Sequence, residues 1–191
     1  MPDGKPILFL KNQAEWNKWL DKNHAKSDGV WLKFAKKNSG EESINYAEGL
    51  EVALCYGWID SQAKSLDNKF YLQKFTPRRS KSVWSKVNTE KIKKLIAEGK
   101  MKPAGMAQVE QAKADGRWKD AYEPQSRAVA PEDFKVALDK NPKAKVFYDS
   151  LNSANRYAFI FRLRSVKRPQ TRAAKIEKFI IMLQNHEKFH N

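Results

Sequence analysis

Gly57-Trp-Ile-Asp-Ser-Gln-Ala-Lys-Ser-Leu-Asp-Asn-Lys-Phe-Tyr-Leu-Gln-Lys-Phe75 is the stretch on which the fold class turns. Residues 58–61 and 69–75 are rich in aromatic and branched side chains and read as two strands. Asp67-Asn68 between them suits a tight turn, because both residue types tolerate left-handed backbone. From Ser82 the period changes. Trp84, Val87, Ile92, Leu95 and Ile96 fall on one helical face, and Gly99 follows as a stop. The hairpin is therefore the last β structure that the sequence signals.

Upstream, Ile7-Leu-Phe-Leu10 is a short apolar run that predicts a strand. Asn12 is placed to cap a helix, with Glu15 three residues on, and Trp16, Trp19 and Leu20 share that helix's face. Val30, Leu32 and Phe34 alternate with Trp31, Lys33 and Ala35, the pattern of a strand. Residues 45–56 predict a helix with Tyr46, Leu50, Ala53 and Leu54 as its apolar stripe and Gly57 as its stop. Downstream, Pro103 opens a helix with Met106, Val109 and Ala112 inward and Gly116 closing it. Pro131, Ala144, Ser153 and Thr171 mark four more helices. Ser153 and Thr171 are the expected caps, and Tyr157, Phe161 and Leu163 are the inward residues of the third. The order β-α-β-α-β-β followed by helices predicts an α+β fold with a small mixed or antiparallel sheet of about four strands. Pro124 and Ser126 mark a boundary between an α+β domain, 1–122, and a helical C-terminal region, 123–191.

The single cysteine, Cys55, rules out an intrachain disulfide. With His24, His186 and His190 it shows no zinc spacing, and no metal or cofactor is expected. A reducing, cytoplasmic setting follows from that cysteine use. No apolar run stands behind Met1-Pro-Asp-Gly-Lys5, so no signal peptide is expected, and the apolar stretch around 179–183 is too short to span a bilayer.

The net charge is +15. It is concentrated in residues 62–119, with 15 basic and five acidic groups, and in residues 155–191, with nine and two. Such blocks attract anions, and they also serve solubility alone.

Three stretches carry a family likeness. They are Glu51-Val-Ala-Leu-Cys-Tyr-Gly-Trp-Ile-Asp-Ser61; Phe75-Thr-Pro-Arg-Arg-Ser-Lys-Ser-Val-Trp-Ser-Lys-Val-Asn88 with Leu95-Ile-Ala-Glu-Gly-Lys-Met-Lys-Pro-Ala-Gly105; and Lys167-Arg-Pro-Gln-Thr-Arg172. With Trp16 and residues 30–37, they make the chain resemble the YdeI/OmpD-associated (bacteriocin-protection) family over nearly its whole length. That resemblance implies a link to protection against bacteriocins and cationic peptides. It carries over no catalytic residue.

The leading candidate site is the basic loop running into a helix start. Arg78 and Arg79 offer guanidinium forks, and Ser80, Ser82 and Ser85 offer hydroxyls. Trp84 offers a stacking surface, and Asn88 lies in the first turn. Asp60 is expected nearby as an orienting carboxylate, a cap or an ion-pair partner. The arginines could equally bind Asp60 and Asp67, with Trp84 in the core. Glu48 and Glu51, three residues apart, are the candidate bases beside Asp60, or a solvated face. Cys55 reads as a buried filler. The second basic block holds Arg156, Arg162, Arg164, Lys167, Arg168, Arg172, Lys175 and Lys178, interleaved with Tyr157, Phe159 and Phe161. These readings point first to a binding protein for a small anion linked to stress protection. The alternatives are sequence-tolerant nucleic-acid binding and an enzyme acting on a small phosphorylated or acidic substrate.

Overall fold

The computed structural model describes residues 2–190, and the chain divides after Tyr122 into two compact units. The first is α+β. In chain order it runs β1 (Ile7–Phe9), α1 (Gln13–Asn23), β2 (Val30–Ala35), α2 (Tyr46–Cys55), β3 (Trp58–Ser65), β4 (Phe70–Pro77), α3 (Lys86–Ala97) and α4 (Pro103–Ala114). The four strands make a mixed sheet in the order β1-β2-β4-β3. β1 and β2 are parallel, and the other two pairings are antiparallel.

The helices α1 and α2 start where side chains can replace missing backbone partners. Asn12 Oδ1 accepts from Glu15 N, and Asn45 with Glu48 forms a reciprocal capping box. Their apolar faces join the sheet in a core that holds Trp16, Leu20, Leu32, Phe34, Leu54, Trp58 and Phe75. The Trp16 indole donates to Gly49 O at 3.0 Å. Gly49 packs closely at that crossing: a Cβ there would lie 3.1 Å from the Phe34 ring, which would have to give by a few tenths of an ångström. Trp31, on the opposite face of β2, is also fully buried: its indole donates to Asp3, and Lys64 and Lys74 lie over its ring.

The hairpin lies where the sequence predicts it, but by a different turn. Asp67 Oδ1 accepts from Lys69 N and Phe70 N, both at 2.8 Å. Neither Asp67 nor Asn68 is left-handed, so the side chain closes the turn. An extra residue in β3 between Asp60 and Ala63 makes a bulge, and Gln73 Nε2 donates to the Gln62 carbonyl there.

α3 begins four residues later than Ser82 suggests. Ser85 is its cap, accepting from Asn88 N, and Trp84 precedes the helix. The choice is made from afar: residue 122 pairs with this segment through Tyr122 N→Trp84 O and Lys86 N→Tyr122 O, both 2.8 Å.

The second unit is helical: α5 (Glu132–Asp139), α6 (Pro142–Ser150), α7 (Ser153–Arg164) and α8 (Pro169–Gln184). Its core gathers Phe134, Leu138, Tyr148, Phe159, Leu163, Phe179 and Leu183. Two caps differ from expectation. Asn152, not Ser153, caps α7, and α8 starts at Pro169 with no side-chain cap, leaving Thr171 inside the helix. The inward face of α7 is Asn155, Ala158, Phe159 and Leu163, while Phe161 is exposed. Among the described residues no helix is long and apolar enough to cross a membrane.

Candidate functional site

The structure brings Arg78, Ser82, Trp84 and Ser85 together, but turns them inward. Arg78 N donates to Gly57 O, and its guanidinium lies over the Trp84 ring with Nη1 donating to Val83 O at 3.2 Å. Burial pushes the Arg78 pKa down to about 10, with Arg117 adding to that and Tyr122 and Asp60 opposing it. The group stays charged at neutral pH. Arg117, which sequence reasoning missed, donates from Nη1 to Ser82 O at 3.0 Å and pairs with Asp115. Ser82 Oγ accepts from Arg79 N, and Ser85 Oγ from Asn88 N. Lys86 N, Asn88 N and Thr89 N at the start of α3 thus have partners within the fold, which leaves fewer of the free donors an anion site would use. Two buried donors here, Arg78 Nε and Trp84 Nε1, have no acceptor among the described residues. Arg79 and Ser80 are exposed, and Asn88 is half-buried.

Asp60 sits where the β3 bulge begins. Its Oδ2 accepts from the Tyr46 hydroxyl at 2.8 Å, and burial followed by the Asp60 charge pushes the Tyr46 phenol up. Asp60 makes no ion pair with Arg78 or Arg79, and Asp67 is engaged in the hairpin turn. Glu48 Oε2 accepts from Asn45 N, so this carboxylate starts a helix and is not paired with Glu51 for acid–base work.

Glu51 belongs elsewhere. It lines an open cavity of about 460 Å³ between α1, α2 and the α3–α4 connector. α1 contributes Gln13, Ala14 and Asn17, and α2 contributes Glu51, Val52 and Cys55. Leu95, Gly99, Lys100 and Lys102 close the other side. The connector is held there by short backbone contacts. Gly99, left-handed at φ +66, ends α3, and Lys102 N donates to Cys55 O at 3.0 Å. Gly105 permits α4 to approach, because a Cβ on it would lie 2.1 Å from Cys55 O.

Inside this cavity the side chains differ in how far they are already engaged. Lys100 is paired with Glu98 at 2.7 Å, and Asn17 Oδ1 accepts from the Tyr56 hydroxyl at 3.1 Å. Glu51, Lys102, Gln13 and the Asn17 amide nitrogen have no hydrogen-bond or ion-pair partner among the described side chains. Burial pushes the Cys55 thiol up to about 11; the Glu51 charge adds to this, and Lys100 and Lys102 oppose it. At neutral pH it is a thiol, not a nucleophilic thiolate. Of the cavity's polar groups, sequence reasoning named only Glu51 and Cys55. The pair of lysines flanking Met101 in an inter-helix connector is the signal that marks the rest.

In the second unit, much of the second basic block serves the fold. Arg172 pairs with Asp133 through Nε and Nη2, and its Nη1 donates to Leu163 O and Val166 O. Arg162 donates to Ala158 O and lies 3.9 Å from the Phe189 ring centre. Lys167 and Arg168 are exposed, and Arg164 is half-buried. Among the described residues no three His, Cys, Asp or Glu side chains gather where they could hold a metal ion.

Residues 8–108 match the family model described as Domain of unknown function (DUF8412), and residues 127–186 match Bacteriocin-protection, YdeI or OmpD-Associated. The cavity and the 78–88 loop therefore lie in the first match. Of the three stretches of likeness, only residues 167–172 lie in the second. No curated protein and no solved structure matches the chain.

Proposed function

This chain belongs to the family of Domain of unknown function (DUF8412) over residues 8–108 and carries a bacteriocin-protection, YdeI or OmpD-associated domain over residues 127–186; from there we propose that it is a binding protein for a small organic anion. One observation carries the proposal: the cavity is lined by a Lys102 ammonium with no acidic partner, beside the Gln13 amide and the Asn17 amide nitrogen, which have no hydrogen-bond partner among the described side chains. A cation and neutral donors converging on a concave surface of this size suit a carboxylate-bearing small molecule. Val52, Leu95 and Ala14 supply an apolar wall for its hydrocarbon part. The description of the 127–186 family supports placing this binding in stress protection against bacteriocins. The single free thiol, Cys55, supports a cytoplasmic setting. The enzyme reading has less support, because Glu48 is engaged in a cap and Cys55 is held protonated.

The test is a thermal-shift and calorimetric screen of the full chain against small carboxylates and phosphates. Lys102→Ala should abolish the stabilisation that wild type shows, with little change in the melting temperature of the ligand-free protein. No stabilisation by any member of the panel overturns the proposal.

A second reading is favoured by the exposed Arg79 and Lys81 beside the buried donors of Arg78 and Trp84: binding of a nucleic-acid backbone. It requires fluorescence anisotropy with labelled DNA and RNA to show affinity that falls steeply with salt and drops in Arg79→Ala. No binding at low salt removes it.

A further inference from the structure

The cavity that we read as the ligand site holds two opposite charges that leave each other alone. Glu51 is a half-buried carboxylate on α2, and Lys102 is a half-buried ammonium on the connector. Neither has an ion-pair partner within 4.0 Å among the described side chains, and they do not pair with each other. Their backbones are anchored on different segments of the cavity wall. Glu51 is fixed in the middle of α2, and Lys102 is tied through its own N–H to Cys55 O. Cys55 lines the same cavity, and both charges act on its thiol.

We propose that the ligand is a zwitterion, an aliphatic amino acid or a close relative, whose carboxylate meets Lys102 and whose ammonium meets Glu51. This rests on the small-anion reading of the same cavity and narrows it. A plain carboxylate at Lys102 would leave Glu51 unneutralised nearby, and the two anions would repel. A plain amine would leave Lys102 in the same position. Only a bipolar ligand makes both charge-assisted contacts at once. The Gln13 and Asn17 amides can add neutral donors to its carboxylate, and Val52 and Leu95 give its side chain an apolar surface. Lys100 takes a lesser part, because Glu98 already neutralises it at 2.7 Å.

The experiment is isothermal titration calorimetry of the full chain at pH 7. The ligands are glycine, alanine, valine and leucine, each beside its desamino acid and its decarboxylated amine. For valine these are 3-methylbutanoate and 2-methylpropylamine. The expected result is that at least one amino acid binds about tenfold or more tighter than both of its truncated partners, one charge-assisted contact being worth about that factor. Glu51→Gln, a near-isosteric change at a residue with no hydrogen bond or ion pair to lose, should cut the amino-acid affinity about tenfold. It should leave the desamino acid unchanged or tighter, whereas Lys102→Ala weakens both. If a desamino acid binds as well as its amino acid in wild type, the zwitterion assignment falls and the small-anion reading stands. If an amine alone binds best, or if nothing binds, both fall together.

Discussion

The Arg78 guanidinium lies 3.5 Å from the centre of the Trp84 ring, and both side chains are buried. A pair that the sequence offers as a binding fork and a stacking platform for a ligand is here stacked on itself. The arginine's charge is held by the π face and by the Val83 carbonyl, with Arg117 fixing the adjacent Ser82 carbonyl. The two neighbouring arginines, Arg78 and Arg79, therefore have different work.

Arg78→Ala should destabilise the first unit by about 2–4 kcal/mol, since it removes a desolvated cation–π contact and leaves a cavity against Trp84. Arg79→Ala, on an exposed side chain, should stay within about 0.5 kcal/mol. Urea unfolding followed by tryptophan fluorescence measures both. Equal costs would mean that the inward and outward assignments are wrong.

A second prediction concerns the contact that shapes the cavity. In Gly105→Ala the new Cβ meets Cys55 O at 2.1 Å and Cys55 C at 2.8 Å, both backbone atoms. α4 must move away from the end of α2, at an expected cost of about 2–4 kcal/mol. The same carbonyl receives Lys102 N, so ligand affinity should fall too. Gly99→Ala is the control. It meets nothing within 4 Å and has only its left-handed φ of +66 to strain, at about 1–2 kcal/mol. If the two glycines respond alike, close approach is not what Gly105 provides.

These positions also show what a sequence can carry. The sheet strands and α2 are local matters: alternation in β2 and the Asn45–Glu48 cap are written in consecutive residues. The start of α3 is not. Ser80, Ser82 and Ser85 are each plausible caps, and the decision falls to Tyr122, a residue almost forty positions away, through its backbone pairing with 84 and 86. The hairpin site is legible in Asp67-Asn68, but the side-chain closure is not. The cavity is the least legible feature, because it is assembled from three separate segments and depends on the Gly105–Cys55 contact. Glu48 and Glu51 look like a pair by spacing alone. The structure separates them by function, one closing a cap and one facing the cavity.

In the second unit, acid should loosen the Asp133–Arg172 pair. The Arg172 hydrogen bonds hold the Asp133 carboxyl below its ordinary 3.8. A depressed carboxyl contributes stability that is complete above the unfolded value and is lost as pH falls through the folded one. The unfolding midpoint of this unit should therefore begin to drop near pH 4. Asp133→Asn should lower it by about 1 kcal/mol at pH 7, a modest figure because the pair is partly exposed, and should flatten the acid slope. Arg172→Ala should cost more, about 1.5–3 kcal/mol, because it also frees the Leu163 and Val166 carbonyls that Arg172 Nη1 binds. Circular dichroism melts from pH 3 to 7 test the slope and the ranking together.

The last prediction decides whether the cavity holds a reactive sulfur. With the Cys55 thiol pushed up to about 11 from 9.0, its thiolate fraction at pH 8 is about a hundredfold below that of the unfolded chain. Alkylation by iodoacetamide should therefore be slow in the native protein and should speed up in urea by at least that factor. As pH rises, the native rate should climb about tenfold per unit past pH 9, where the unfolded rate levels off. Glu51→Gln removes the charge that, after burial, does most to hold the proton on, so it should raise the native rate at pH 8. Lys102→Ala removes an opposing charge and should lower it. An occupied cavity should protect the sulfur further without shifting the pH profile of the unfolded control. A native rate at pH 8 equal to the urea rate would show a Cys55 thiol no harder to ionise than in the unfolded chain, and burial would then not be what keeps it unreactive.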